Sequence, residues 1–187
     1  LVLLECLRAL VDKLVLNLVP GPVRMSEECL NAMATPVITA RGGEFREVMA
    51  GLNSGLRYAF NLSPSQGIPK QESWSGDDGY KVIVVSGSGT AAMEMVVANR
   101  FRPNDRVLVP TNGKFGERVA EMCERFCRVK HLKYDWGRSF DLFEIENQLE
   151  RSEYEAVLIC HNETSAGITQ DAAAIAEICQ RHKTAFI

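Results

Sequence analysis

No run in this chain is both long enough and free enough of charge to read as a membrane span. The opening segment, Leu1 to Val19, is apolar, but Glu5, Arg8, Asp12 and Lys13 interrupt it, and a spanning helix needs about 20 mostly uncharged residues. No small-residue cleavage site follows it, so it reads as a packing segment or as an amphipathic helix facing a partner. Blocks of like charge are also missing. The 21 basic and 24 acidic residues are interspersed and leave a net charge of −3, which speaks against a nucleic-acid or anionic-membrane footprint. A small molecule or a second copy of the chain is the expected partner. The six cysteines, Cys6, Cys29, Cys123, Cys127, Cys160 and Cys179, form no CxxC pair. Most fall within apolar faces or strands, so buried thiols in a reducing, cytoplasmic setting are expected, without disulfides or a metal site.

What is present is enough apolar sequence for a core. The chain has 187 residues, 46% hydrophobic and 24% charged, the proportions of a globular domain with one substantial core or of part of a larger one. Its organising stretch is Ser86-Gly87-Ser88-Gly89-Thr90, between the β-branched run Tyr80 to Val85 and a helical run from Ala91 to Arg100. Such a strand-to-helix turn offers unpaired helix amides, glycines that let a ligand approach, and hydroxyl donors. The third glycine of the dinucleotide fingerprint and the Gly-Lys-Ser/Thr of a P-loop are both absent. Two readings therefore stay open, a phosphate cup and an ordinary βα turn with a Ser/Thr cap.

Along the chain, Leu3, Leu7, Leu10 and Leu14 recur at helical spacing before a rigid Pro20-Gly21-Pro22 corner. Ser26 is placed to cap a short helix to Ala34 that ends at Thr35-Pro36, with Glu27 and Glu28 suiting its dipole. Arg41-Gly42-Gly43 leads into a long amphipathic helix whose stripe Phe45, Val48, Met49, Leu52, Leu56 and Phe60 is expected to pack into a core. Residues 63–79 read as a loop. Strands are then expected at Tyr80 to Val85, Arg106 to Pro110, Arg128 to Lys133 and Ala156 to Cys160. Helices are expected between them at Phe115 to Cys127 and Leu142 to Leu149, with another from Asp171 to Lys183. This rhythm predicts an α/β fold, a mostly parallel sheet with helices on both faces, and ligands at the carboxyl ends of its strands. Three loops should converge there: Ser86 to Thr90, Thr111 to Phe115, and His161 to Gly167. Thr184 to Ile187 reads as the start of a further buried strand, so the chain is expected to be part of a longer fold.

Four segments together resemble class V aminotransferases, pyridoxal-phosphate enzymes of fold type I. They are Asn17 to Val23, Val85 to Glu94, Thr111 to Arg118 and His161 to Ile168. The nearest branches are the alanine–glyoxylate, serine–glyoxylate and 2-aminoethylphosphonate–pyruvate aminotransferases. The resemblance implies that residues 1–23 form an N-terminal segment and residues 24–187 the first half of the cofactor-binding large domain. It implies that Ser88, Gly89 and Thr90 cup the phosphate of pyridoxal 5'-phosphate, that Phe115 stacks on its ring, and that Thr164 carries a hydroxyl near the ring. Pro20, Gly21 and Pro22 resemble the loop that borders the substrate, and a homodimer is implied, with an amino acid and a 2-oxo acid as substrates.

Each of these residues also has a plain structural reading. Phe115 fits a core aromatic, Thr164 a turn cap, and His161 a structural hydrogen-bonding residue; His131 and His182 carry no signal. The sequence departs from the family's pattern in lacking the aspartate that pairs with the pyridine nitrogen, the lysine that bonds the cofactor, and the small C-terminal domain. No catalytic residue is therefore assigned, and the chain alone is expected to be inactive. The alternatives are a non-catalytic anion-binding or dimerising remnant of the fold, and a cysteine desulfurase-like lyase. Phe115 disfavours the lyase, because that branch usually presents a histidine to the ring.

Overall fold

A computed structural model of the chain describes residue 19, residues 21–62 and residues 79–187. The chain divides into two compact units, Leu1–Val85 and Ser86–Ile187. Among the described residues no helix is long and apolar enough to cross a membrane.

The first unit holds two described helices, α1 (Glu27–Met33) and α2 (Gly43–Ala59). Ser26 caps α1, its Oγ accepting from the Cys29 amide at 3.3 Å, and Glu27 and Glu28 occupy the first turn. The apolar stripe expected on α2 is only partly covered: Phe45, Met49 and Leu56 are half-buried, whereas Val48, Leu52 and Phe60 are exposed. The residues most buried on α2 are Asn53 and Arg57, and Arg57 donates to the Tyr80 carbonyl at 3.0 Å. The covered arc thus lies toward Asn53, one flank away from Val48 and Leu52. The strand expected at Tyr80 to Val85 does not form. Lys81 makes a single bridge, residues 82–85 belong to no ladder, and Ile83, Val84 and Val85 are exposed. A β-branched run becomes a strand only where a neighbouring strand pairs with it, and among the described residues none does.

The second unit is a regular α/β layer structure. Its elements are α3 (Gly89–Arg100), β1 (Arg106–Thr111), α4 (Lys114–Cys123), β2 (Arg128–Lys133), α5 (Leu142–Arg151), β3 (Ala156–Val157), β4 (Asn162–Glu163), β5 (Ile168–Thr169), α6 (Ala172–Arg181) and β6 (Ala185–Phe186). Four strands form one sheet in the order β2-β1-β3-β6, all parallel. β4 and β5 make a small antiparallel pair. Alternation along β1 sends Val107 and Val109 to one face and Leu108 to the other. The first face packs Val97 and Phe101 of the α3 end and Ala120 and Cys123 of α4. The second packs Ile145 and Leu149 of α5 and Ile175 and Ile178 of α6. The sheet is therefore covered on both sides, as the βα rhythm predicts.

Boundaries differ where local chemistry intervenes. α4 stops at Cys123, short of the expected Cys127: the next residues form a turn in which the Arg125 and Phe126 amides donate three residues back, to the Met122 and Cys123 carbonyls at 3.2 and 2.9 Å. α6 stops at Arg181 before Lys183, which adopts φ 55°. The ladder of β3 covers only Ala156 and Val157. Pairing nevertheless continues beyond it, with the Leu158 amide donating to the Leu108 carbonyl at 3.0 Å and the Ile159 amide to the Ile187 carbonyl at 3.1 Å.

Candidate functional site

Every helix N-terminus carries unpaired amides and partial positive charge, and helices that follow parallel strands present theirs at the carboxyl end of the sheet. In the second unit three of the four are occupied by the protein's own carboxylates. Asp141 caps α5, Oδ1 accepting from the amides of Phe143 at 2.9 Å and Glu144 at 3.3 Å. Asp171 caps α6 through the Ala174 amide at 3.0 Å. At α4 the carboxylate comes from a distant loop: Glu163 Oε2 accepts from the Gly116 amide at 2.9 Å.

The N-terminus of α3 differs from these. Its cap is a hydroxyl, Ser88 Oγ accepting from the Ala91 amide at 3.2 Å, and its first turn carries no acid. The amides of Gly89 and Thr90 have no acceptor among the described residues, and residues 86–90 are exposed. Ser88 still has its own hydroxyl proton to donate, and Thr90 adds a second hydroxyl. This donor set, on a helix of 12 residues, suits a phosphate dianion.

Beside it runs an apolar cleft of about 310 Å³. Its walls are Met93 and Val96 of α3, Phe115 and Val119 of α4, residues 158–161 beyond β3, and Ile187. Phe115 is 39% exposed, with the Arg118 guanidinium 5.4 Å from its ring centre. An accessible aromatic on an apolar wall suits a flat heterocycle. The Cys160 thiol in the same wall is pushed up to about 11, first by burial and then by the Glu163 charge, which keeps it protonated.

Behind the cleft, Glu163 joins two of the three loops expected to converge. It is fully buried. Its Oε1 accepts from the Ser165 hydroxyl at 2.6 Å and the Ser165 amide at 3.2 Å, while Ser165 Oγ accepts from the Lys114 amide at 2.8 Å. Burial raises the Glu163 pKa, but the hydrogen bonds from Ser165 and from the amides of Gly116, Ser165 and Phe115 outweigh it, so the carboxyl is held below its ordinary value. A Cβ at Gly113 would collide with Glu163 Cγ and Cδ and stand 2.7 Å from Ser165 Oγ. The only side chain that fits at position 113 is therefore hydrogen.

The sequence-expected residues fare differently. Ser88, Gly89 and Thr90 form the open helix terminus, and Phe115 lines the cleft with His161. Thr164 is exposed and is not among the residues lining the cleft. Gly21 and Pro22 are exposed in the first unit and joined by a cis peptide, and Pro20 lies outside the described residues. Glu163, Ser165 and Gly113 sit inside the quoted motifs, yet sequence reasoning gave them no role. The available signal was an acid two residues before a serine in a loop that follows a buried strand.

A parallel sheet covered on both faces, with an open helix N-terminus beside an apolar cleft that Phe115 lines, defines an α/β protein whose second unit sets hydrogen-bond donors next to an apolar wall. The aminotransferase class-V family model matches residues 72–187, and the chain belongs to that family, whose enzymes use pyridoxal phosphate. It is 33% identical over 180 residues to a protein named soluble hydrogenase 42 kDa subunit from Anabaena cylindrica, with 94% of this chain and 43% of that protein covered. It is 31% identical over 165 residues to alanine–glyoxylate aminotransferase of Oryctolagus cuniculus, with 88% and 38% covered. The crystal structure of alanine–glyoxylate aminotransferase from Nostoc sp. superposes with a TM-score of 0.72 at 30% identity, over 89% of this chain and 41% of that one. The chain thus spans between 38% and 43% of the length of these relatives.

Proposed function

We propose that the protein is a pyridoxal-phosphate-dependent aminotransferase, moving an amino group from an amino acid such as alanine or serine to a 2-oxo acid such as glyoxylate or pyruvate. The observation that carries this reading is the contrast among helix termini. Among the four helices of the second unit, internal acids occupy the termini of α4, α5 and α6, whereas α3, bordering the Phe115 cleft, offers open amides and hydroxyls to an anion. Ser88, Gly89 and Thr90 hold the cofactor phosphate through two amides and two hydroxyls, and the dipole of α3 favours its charge. Phe115 covers one face of the pyridine ring, and the apolar wall excludes water from it. Thr164 is proposed to bring its hydroxyl toward the ring, and the loop of Pro20, Gly21 and Pro22 to border the substrate. The bound cofactor supplies an electron sink for the substrate's α-carbon and a carrier for the amino group.

The protein is further proposed to act as a homodimer in the cytoplasm, consistent with the free, buried thiols of Cys123, Cys127 and Cys179. Sedimentation of the purified gene product gives its oligomeric state. The deciding experiment on function is borohydride reduction of that product followed by peptide mass mapping, with alanine and serine assayed against glyoxylate and pyruvate. A lysine-bound cofactor and amino transfer are expected. Absence of any lysine adduct defeats the proposal, and sulfide release from cysteine without amino transfer replaces it with lyase chemistry.

A further inference from the structure

We infer that Glu163 is a positioning residue for the cofactor ring: by serving as an internal anion for the first turn of α4, it sets the Phe115 side chain in the cleft. The inference rests on the proposed function for what Phe115 does, but on geometry alone for what holds it. Phe115 is the second residue of α4, so its direction follows from how that helix begins. Neither Gly113 nor any residue of the first turn supplies a side-chain cap. The turn is held instead from 47 residues away, where Glu163 takes the Gly116 amide on one oxygen and the hydroxyl and amide of Ser165 on the other. Ser165 in turn takes the Lys114 amide. Phe115 is flanked on both sides by amides tied to this pair.

The chemistry demands a carboxylate. All the groups facing Glu163 are donors, so both of its oxygens must accept. A glutamine there has one accepting end, and its amide hydrogens would point at N–H groups at the other. Distance makes the same demand from the opposite side, since the backbone at Gly113 passes so close to Glu163 that no Cβ fits between them. A carboxylate whose only task was to stabilise the loop would not need to reach one residue from an exposed aromatic in a ligand-sized cleft. The same charge also keeps the α4 terminus from competing with α3 for a phosphate.

Two variants and two readouts test this in the complete gene product: Glu163→Gln and Ser165→Ala, followed by hydrogen exchange of the protein without ligand and by titration with pyridoxal 5'-phosphate. In both variants exchange is expected to rise about tenfold or more at residues 114–117, while β1 and the second half of α4 stay protected. Affinity for pyridoxal 5'-phosphate is expected to fall about tenfold in Glu163→Gln and less in Ser165→Ala, with a weaker circular-dichroism band from the bound ring. Unchanged exchange at 114–117 in both variants overturns the clasp. Raised exchange with an unchanged affinity and band overturns the positioning role and leaves a structural one. Failure of the unsubstituted protein to bind pyridoxal 5'-phosphate defeats the proposed function and with it the role of Phe115, while the exchange data still decide whether Glu163 holds the turn. If Glu163→Gln does not fold, Ser165→Ala carries both readouts.

Discussion

His131 on β2 and Thr111 at the end of β1 meet with Nε2 2.6 Å from Oγ1. Burial, and then the charge of Lys133, lower the imidazole pKa from its ordinary 6.5. The folded protein therefore favours the neutral ring, and the unfolded chain binds the extra proton first as pH falls. Stability from this residue is present above 6.5 and is lost progressively on acidification toward the lowered folded pKa. Urea unfolding at pH 7.5 and pH 5 is expected to show a drop that His131→Gln makes shallower; an equal drop in both proteins would refute it. Gly113→Ala tests steric fit at the same scale. The new methyl meets Glu163 and Ser165 side chains that are themselves fixed by hydrogen bonds, so a loss of about 1–3 kcal/mol is expected in denaturant unfolding.

At the scale of elements, the acid-capped termini of α5 and α6 serve the fold, whereas the terminus of α3 is open beside the cleft that Phe115 of α4 lines. Asp141→Ala and Asp171→Ala each remove a cap, and each is expected to cost about 1 kcal/mol of unfolding free energy without changing affinity for pyridoxal 5'-phosphate. Ser88→Ala should cost a similar amount and also weaken that affinity, because its hydroxyl serves both the helix and the proposed phosphate. Equal affinity losses in all three variants would mean that the cap and the cup are not separable. The elements themselves were largely legible. Val107, Leu108 and Val109 are a run buried on both faces, and α5 begins at the Asp141 cap followed by apolar residues at helical spacing. The exception, Tyr80 to Val85, looked as strand-like as β1, yet its backbone groups find no neighbouring strand among the described residues. Propensity alone cannot supply a neighbour.

For the molecule as a whole, the sheet's centre carries the structural weight. Leu108 is fully buried beneath α5 and α6 and sits between paired strands on both sides. Leu108→Ala is expected to lower unfolding free energy by about 2–5 kcal/mol, measured by chemical denaturation. A loss below 1 kcal/mol would mean that the second face of the sheet can collapse around the gap.

The sequence by itself determined the α/β class, the alternation of the sheet's strands with helices in the second unit though not the small β4–β5 pair, and the residues of the open helix terminus. Each of these follows from local pattern: period, capping chemistry, and glycine beside hydroxyls. It also carried the motifs that resemble class V aminotransferases. Only the tertiary structure decided that the terminus of α4 is occupied by an acid from a distant loop while that of α3 is left open. Only it brought Phe115, Cys160 and Ile187 to one cleft and assigned Glu163 to a helix 47 residues earlier in the chain. These contacts join segments far apart in sequence, and no local pattern records which distant carboxylate will lie against which amide.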